Sequence, residues 1–379
     1  MLIAHLAAHA TSTGADATKP AEPGAITIIS PQDYQVFQRT ERSQGTLLIT
    51  GTLPVAAKAR FRWRSNSGAP SLKERWIDLP VTTATHRFSK KVYLKSGGWY
   101  RLEVQAYQGK TVIAETQVAH VGMGEVFVVS GQSNSTNYGA ELLKPERGLV
   151  SSFDGNSWRL ANDPQGGCDG STGGSFIPAF GDALAKKFQV PIGIASTGQG
   201  GTSVRQFLPK GFRVRNEPTT GGMKLIAPGL WESDGGLFNR LTDRFSALGL
   251  HGFRAVLWHQ GESDAGQARA GYPAERQITG EQYFEFMTML IHESQRKAEW
   301  SVPWITAQTT YHVGDPSDPE FRAAMKKLWD SGISLEGPDT DTLREEYRSG
   351  VHFNGNGQRE HGRLWADKVG HYLDTVLAK

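Results

Sequence analysis

Between residues 26 and 122 the chain places apolar and polar side chains alternately. ARFRWRS and YRLEVQAY show the period of two most clearly. ITII, TLLITG, RWIDLP, HRFSKKVYL and TVIAETQVAHV are further short β-rich runs, set between Gly, Pro, Ser and Asn. About seven such runs at close spacing predict a small all-β domain of the immunoglobulin-like sandwich type over residues 26–122. Its aromatics, Phe61, Trp63, Trp76, Trp99 and Tyr100, read as core rather than as a platform for a sugar.

From Gly124 the pattern changes. EVFVVS, VPIGIAST, FRAVLWHQ and VPWITAQT are short, continuous apolar runs, the mark of strands buried on both faces. Between them lie stretches with helical periodicity. In GSFIPAFGDALAKKF the stripe is Phe176, Ile177, Phe180, Leu184 and Phe188; GLFNRLTDRFSALGL, EQYFEFMTMLIHESQRKAEW and EFRAAMKKLWDSG follow. GQREHGRLWADKVGHYLDTVLAK closes the chain as a helix with Leu364, Trp365, Val369, Leu373 and Val376 on one side. Strand and helix in alternation predict a parallel sheet covered on both faces, an α/β domain over residues 123–379. Residues 1–25 read as a leader and linker: MLIAHLAAHA resembles the end of a signal peptide, and TSTGADATKPAEPGA has linker composition. A periplasmic or secreted setting is the expectation from that leader.

Composition narrows the class. The 379 residues carry 41 basic against 38 acidic side chains, with no Lys/Arg block, so no nucleic-acid partner is expected. No apolar run approaches the roughly 18 residues of a membrane span. The single cysteine, Cys168, excludes an intrachain disulfide, and its loop GGCDGSTGG holds no pattern that would activate a thiol. No His/Asp/Glu cluster has metal-ligand spacing, so no metal is expected. Oligomeric state is left open.

The candidate chemistry begins at VFVVSGQSNS. A buried strand stops at five small or polar residues with Ser133 among them. Open α/β sheets bind ligands at the carboxyl ends of their strands. Three other segments fall in comparable places: STGQGGTSVRQFLP (196–209), LWHQGESDAG (257–266) and YRSGVHFNGNGQ (347–358). Together they could perform acyl transfer, which needs a nucleophile, a base and oxyanion donors. Ser133 offers the hydroxyl and a backbone N–H, Gly201 a second N–H, Gln260 a side-chain amide, and His352 a base. Gln132 and Asn134 flank the serine as candidate substrate-binding residues. Arg205 either lines the cleft or makes a structural ion pair. Trp258 and His259 read as packing behind the site, and His361 as a solvated residue of the last helix.

GQSN, GGT, WHQGES and GVHFNGNGQ together resemble the sialate O-acetylesterase-like branch of the SGNH hydrolases, which includes bacterial carbohydrate acetylesterases. The resemblance runs from about Gly124 to the C-terminus. It implies a flavodoxin-like three-layer α/β/α sandwich that removes acetyl groups from sugars without a cofactor. It implies Ser133 as nucleophile, His352 as base, and Gly201 and Gln260 as oxyanion donors. An acetylated poly- or oligosaccharide is then the expected partner.

One position departs from the family. Where the family usually has Asp, three residues before the histidine, this chain has Ser349. Three readings stay open. A backbone carbonyl or Ser349 itself holds His352 in a working dyad. Another carboxylate substitutes, Glu262 first and Asp264, Glu345 or Glu346 after it. Or the protein is weak or inactive. Glu262 also has a plain reading, in which it accepts loop N–H bonds and fixes local geometry. The rival functions are a non-catalytic carbohydrate-binding protein on a hydrolase scaffold and an esterase for non-sugar acyl groups.

Overall fold

The computed structural model describes residues 24–66, 68–216, 221–267, 271–315 and 317–378. Most of the expected leader therefore lies outside the described residues. The N-terminal strands form two sheets. Thr27–Ser30, Gln44–Thr52, Arg87–Lys95 and Val81–Thr82 make one. Lys58–Ser65 pairs antiparallel with Ile77–Leu79 and with Gly97–Gln108, which pairs with the long strand Thr111–Gly131. The alternating positions point into a shared apolar cluster that includes Leu47, Ile49, Phe61, Phe88, Leu102 and Val104. Phe61, Trp63, Trp99 and Tyr100 are buried as expected, whereas Trp76 is only half-buried.

The long strand is the finding here. The sequence reads as two runs broken near Gly124, but Thr111–Gly131 is one strand of 21 residues, and the expected boundary at 122/123 falls inside it. Gly122 and Gly124 let it pass Pro191, whose ring and carbonyl would meet any Cβ there. The seam is closed by a buried charge. Glu125 is fully buried and accepts from Arg39 Nε at 2.6 Å and Arg254 Nε at 2.8 Å, so residues far apart in the chain neutralise it.

Beyond the seam, six parallel strands lie in the order Val150–Phe153, Ile192–Ser196, Thr111–Gly131, Ala255–His259, Trp304–Gln308 and Leu335–Asp339. Trp158–Leu160 adds an antiparallel edge. Helices α1 (Ile177–Phe188), α2 (Gly236–Leu248), the short α3 (Glu262–Ala265), α4 (Gly280–Ala298), α5 (Pro319–Asp330) and α6 (Gly355–Val376) complete the region. Alternate residues of each strand face opposite sides. Val126, Val128, Val256 and Trp258 pack with α2, α4 and α5. Phe127, Val129, Ile194 and Leu257 pack with α1 and α6. Each fully buried side chain of this size contributes about 1.5–3 kcal/mol, so both faces hold the sheet rigid. The result is a mixed α/β fold with helices on both faces. The chain leaves the central strand Thr111–Gly131 first to one side and later to the other. Its carboxyl end is thus the point where the strand order reverses, and Ser133 follows directly.

Candidate active site

The serine turn is built by backbone constraint. Gly131 has φ +132, and a Cβ there would run into the His259 carbonyl, so only glycine fits. Gln132 N–H donates to that same carbonyl at 2.9 Å. Ser133–Ser135 then make one 3₁₀ turn, closed by Ser135 N–H to Gln132 O at 2.8 Å and Thr136 N–H to Ser133 O at 3.0 Å. The N–H groups of Ser133 and Asn134 open this turn and have no partner within it. Ser133 is buried, with 6% of its surface exposed.

The loop after Ala255–His259 is tied to the serine turn. Gly131 lies opposite His259 in the parallel register. Gln132 Oε1 accepts from the N–H of Gly261 at 3.2 Å and of Ser263 at 3.0 Å. Gln132, a candidate for substrate binding, therefore has its carbonyl engaged as a strut between the loops. Asn134 Nδ2 donates to Glu262 Oε1 at 2.9 Å and to Val351 O at 3.2 Å. It thus links the serine turn, Glu262 and the residue before His352.

His352 sits on a two-residue hairpin, paired with Ser349. The hairpin is fixed from behind by Arg348, whose guanidinium donates to Leu343 O at 2.7 Å, Val351 O at 3.0 Å and Thr340 O at 2.8 Å. Arg348 also lies 3.9 Å from the Phe353 ring centre. The exposed Tyr138 ring lies 5.0 Å from that of His352, tilted by 31°. Burial lowers the His352 pKa; the Glu262 charge opposes this and the Arg348 charge adds to it. Neutral imidazole, the form able to take a proton, is favoured at neutral pH.

The structure sorts the carboxylates. Glu345, Glu346 and Ser349 are exposed. Asp264 is buried but engaged by Val204 N–H at 2.8 Å and Gln260 Nε2 at 2.7 Å. Glu262 is 3% exposed, its Oε2 is buried without a hydrogen bond among the described residues, and its charge reaches His352. Burial would raise its pKa, but His259 and Asn134 hold it well below the usual carboxylate range.

Behind Glu262 runs a buried histidine pair. His259 Nε2 lies 3.1 Å from Glu262 Oε1 and 3.1 Å from Thr309 Oγ1. His259 Nδ1 lies 3.1 Å from His361 Nε2, which also accepts from Trp365 Nε1 at 3.0 Å. Both His259 nitrogens are thus engaged, one by Glu262 and Thr309 and the other by His361. His361, expected to be solvated, is 1% exposed. Its pKa is held well below the ordinary histidine value by burial and then by the neighbouring charge of His259. An apolar stripe on the last helix does not reveal a histidine that faces the sheet.

Two further expectations change. Gln260 spends its amide on Thr202 O at 3.2 Å and Asp264 Oδ2 at 2.7 Å, so it is not poised to donate to an oxyanion. Arg205 is fully buried, donating to Ser203 Oγ at 2.8 Å and Arg276 O at 3.1 Å, and lies 3.9 Å from Asp264 Oδ1. Full burial gives it the structural role, the second of its two readings. Gly201, with φ +69, stays exposed in the loop after Ile192–Ser196. Trp258 is fully buried in the core, as expected. Burial, then Asp169, pushes the Cys168 thiol up to about 12, far from nucleophilic. Sequence reasoning missed Arg348 and Tyr138; a basic residue beside SGVH and an aromatic five residues after Ser133 were the available signals. Among the described residues no His/Cys/Asp/Glu group could hold a metal ion.

A central parallel sheet thus carries a serine turn at its switch point, and a histidine hairpin is tied to that turn. Residues 123–371 match the family described as carbohydrate esterase, sialic acid-specific acetylesterase, and the chain belongs to that family. It is a carboxylic ester hydrolase of the carbohydrate esterase class. A carbohydrate acetylesterase from Xanthomonas citri is similar in structure, with 17% identity, TM-score 0.54, and coverage of 92% of this chain and 75% of that one. A protein from Arabidopsis thaliana shares 20% identity at TM-score 0.46, covering 66% and 98% of the two chains. A family two carbohydrate esterase from Clostridium thermocellum shares 10% at TM-score 0.39, covering 89% and 93%. No curated protein matches the chain.

Proposed function

We propose that the protein is a serine O-acetylesterase acting on acetylated poly- or oligosaccharides. The observation that carries this reading is the Asn134 side chain. It joins the Ser133 turn both to Glu262 and to the peptide that bears His352, bringing three separate segments to one strand end.

In the reaction, Ser133 Oγ attacks the acetyl carbonyl while neutral His352 takes its proton. The oxyanion is met by the N–H groups that open the serine turn and by the exposed GQGGT loop containing Gly201. Protonated His352 then returns the proton to the departing sugar hydroxyl. Water, deprotonated by His352, then attacks the acetyl-Ser133 carbonyl, and His352 returns that proton to Ser133 Oγ as the ester bond breaks and acetate leaves. Glu262 offsets the positive charge that forms on His352, in the place of the absent Asp. Residues 26–122 are read as a β domain attached to this catalytic unit through the shared long strand.

The test is acetate release from acetylated xylan, xyloglucan, pectin and O-acetyl sialic acid, comparing wild type with Ser133→Ala. Loss of release in a folded Ser133→Ala protein is the expected outcome. Undiminished release would sink the serine assignment.

A further inference from the structure

Among the described residues, Tyr93 and Tyr138 are the only Phe, Trp or Tyr side chains that are exposed rather than buried or half-buried. Tyr93 stands on the N-terminal strand Arg87–Lys95. Tyr138 stands at the site, and the serine–histidine chemistry makes no use of it. Its ring centre lies 5.0 Å from that of His352. Its ring and hydroxyl also lie against Gly200, where any Cβ would strike them. Gly200 precedes Gly201 in the GQGGT loop. One exposed ring therefore reaches from the base to the loop after Ile192–Ser196.

A loose tyrosine on the surface would need no explanation. This one is held on both sides. Asn137 O accepts from Gly173 N–H at 2.9 Å, and the Asn137 amide donates to Gln165 O at 2.9 Å and Ser171 O at 3.1 Å. Gly139 and Gly174 exchange two backbone bonds, each of 2.8 Å. Ala140 N–H donates to Phe353 O at 3.0 Å, which fastens the segment to the hairpin that carries His352. Burial, then the nearby Asp169 carboxylate, raises the phenol's pKa, so the ring is uncharged at neutral pH. Asp169 also accepts from Gly200 N–H at 2.6 Å, so the same acid steadies the loop on which the ring rests. A ring already fixed in place costs a ligand less ordering on binding.

The alcohol side of the ester has to pass this ring. His352 hands a proton to the departing oxygen, which must then come within about 3 Å of the imidazole. The group that carries the oxygen extends past the imidazole, into the space that Tyr138 borders. A saturated sugar ring presents weakly positive C–H bonds on its face, and the face of an aromatic ring is negative. Tyrosine offers that face as a rigid contact at little entropic cost. An alcohol as short as ethanol cannot cover it.

We propose that Tyr138 is the specificity-determining residue for the alcohol side of the ester, the wall on which the pyranose ring bearing the acetyl group stacks as its hydroxyl departs at His352. This rests on the proposed carbohydrate reading and deepens it by naming the side chain that tells a sugar from a small alcohol.

The test compares kcat/KM for acetate release from methyl glucoside tetraacetate and from ethyl acetate, in the full-length protein and its variants. The parent protein should prefer the sugar ester. Tyr138→Ala should lower the ratio of the two kcat/KM values roughly tenfold, mostly through KM for the sugar ester. Tyr138→Phe, which keeps the ring, should restore the ratio. A residue that merely positions His352 or the GQGGT loop would move both esters together, so an equal loss on both would overturn the proposal. A parent protein with no preference for the sugar ester would overturn it too. So would a Tyr138→Phe protein that behaves as Tyr138→Ala, because the discrimination would then belong to the hydroxyl. Each of these leaves the esterase reading standing, whereas a parent protein that releases acetate from neither ester would overturn both.

Discussion

Glu262→Gln separates the two roles open to that residue. The change keeps shape and removes one buried negative charge. The carboxylate accepts from Asn134 at 2.9 Å and faces His259 at 3.1 Å. A glutamine oxygen can still satisfy Asn134, but its amide then faces His259. Leaving a buried hydrogen-bonding partner unsatisfied costs about 1–3 kcal/mol, so the midpoint of thermal unfolding should fall. That loss alone would follow from a plain structural role. The kinetic effect is separate. A charge-assisted interaction is worth about 1.5–3 kcal/mol, and at roughly 1.4 kcal/mol per tenfold this amounts to about 10- to 150-fold in kcat. Where nothing else holds the imidazole, the loss can approach about 10⁴-fold.

The pH profile then decides. The Glu262 charge raises the His352 pKa against burial and Arg348. Its removal should move the acid limb of kcat/KM to lower pH while the plateau drops. Aryl acetate hydrolysis between pH 4 and 9, well below the unfolding midpoint, is the assay. Glu345→Gln and Glu346→Gln, on exposed positions, are the controls and should match wild type. A folded Glu262→Gln protein with kcat within about threefold of wild type and an unmoved acid limb would refute the argument. A drop in Glu345→Gln or Glu346→Gln instead would give the role to the hairpin.

Gly131→Ala should be inactive and poorly folded, because its Cβ meets the His259 carbonyl and its φ of +132 excludes other residues; expression with native circular dichroism and activity would contradict this. The stability difference between wild type and Glu262→Gln should depend on pH. Glu262 has a folded pKa below its unfolded value, so its contribution is complete above about pH 4.3 and is lost as pH falls towards the folded value. Denaturant titrations from pH 7 to 3 should show the two proteins converging in acid, and a constant gap would count against an ionised Glu262.

The alternation of strand and helix after Gly124 was legible, because buried strands and amphipathic helices write different periods into the sequence. The long strand was not. The change of pattern near Gly124 divides it into two runs, yet Gly122 and Gly124 let one continuous backbone pass Pro191. Burial of polar residues was also hidden. Sequence reasoning gives Gln260 to the oxyanion and His361 to solvent, and leaves Arg205 between the cleft and a structural ion pair. Each is instead tied into an internal network that depends on residues far away in the chain: Thr202 for Gln260, Arg276 for Arg205, and His259 for His361.

The co-occurrence of GQSN and HQGES has a physical cause that follows from strand order. Thr111–Gly131 and Ala255–His259 are neighbours in parallel register, so the loops that leave them emerge side by side. Gln132 and Asn134, either side of the serine, reach across to Gly261, Ser263 and Glu262. Each motif is therefore half of one object, and neither half can be changed without disturbing the other. The SGVH hairpin joins this object through Val351 O, which accepts from Asn134 and Arg348 alike. An acid within the hairpin is then only one way to supply charge to His352. Ser349 points to solvent, while a buried carboxylate on the neighbouring strand end already acts on the ring. A site assembled this way can lack an acid in the hairpin and still have a negative charge whose field reaches the imidazole, because the charge belongs to the sheet rather than to the loop.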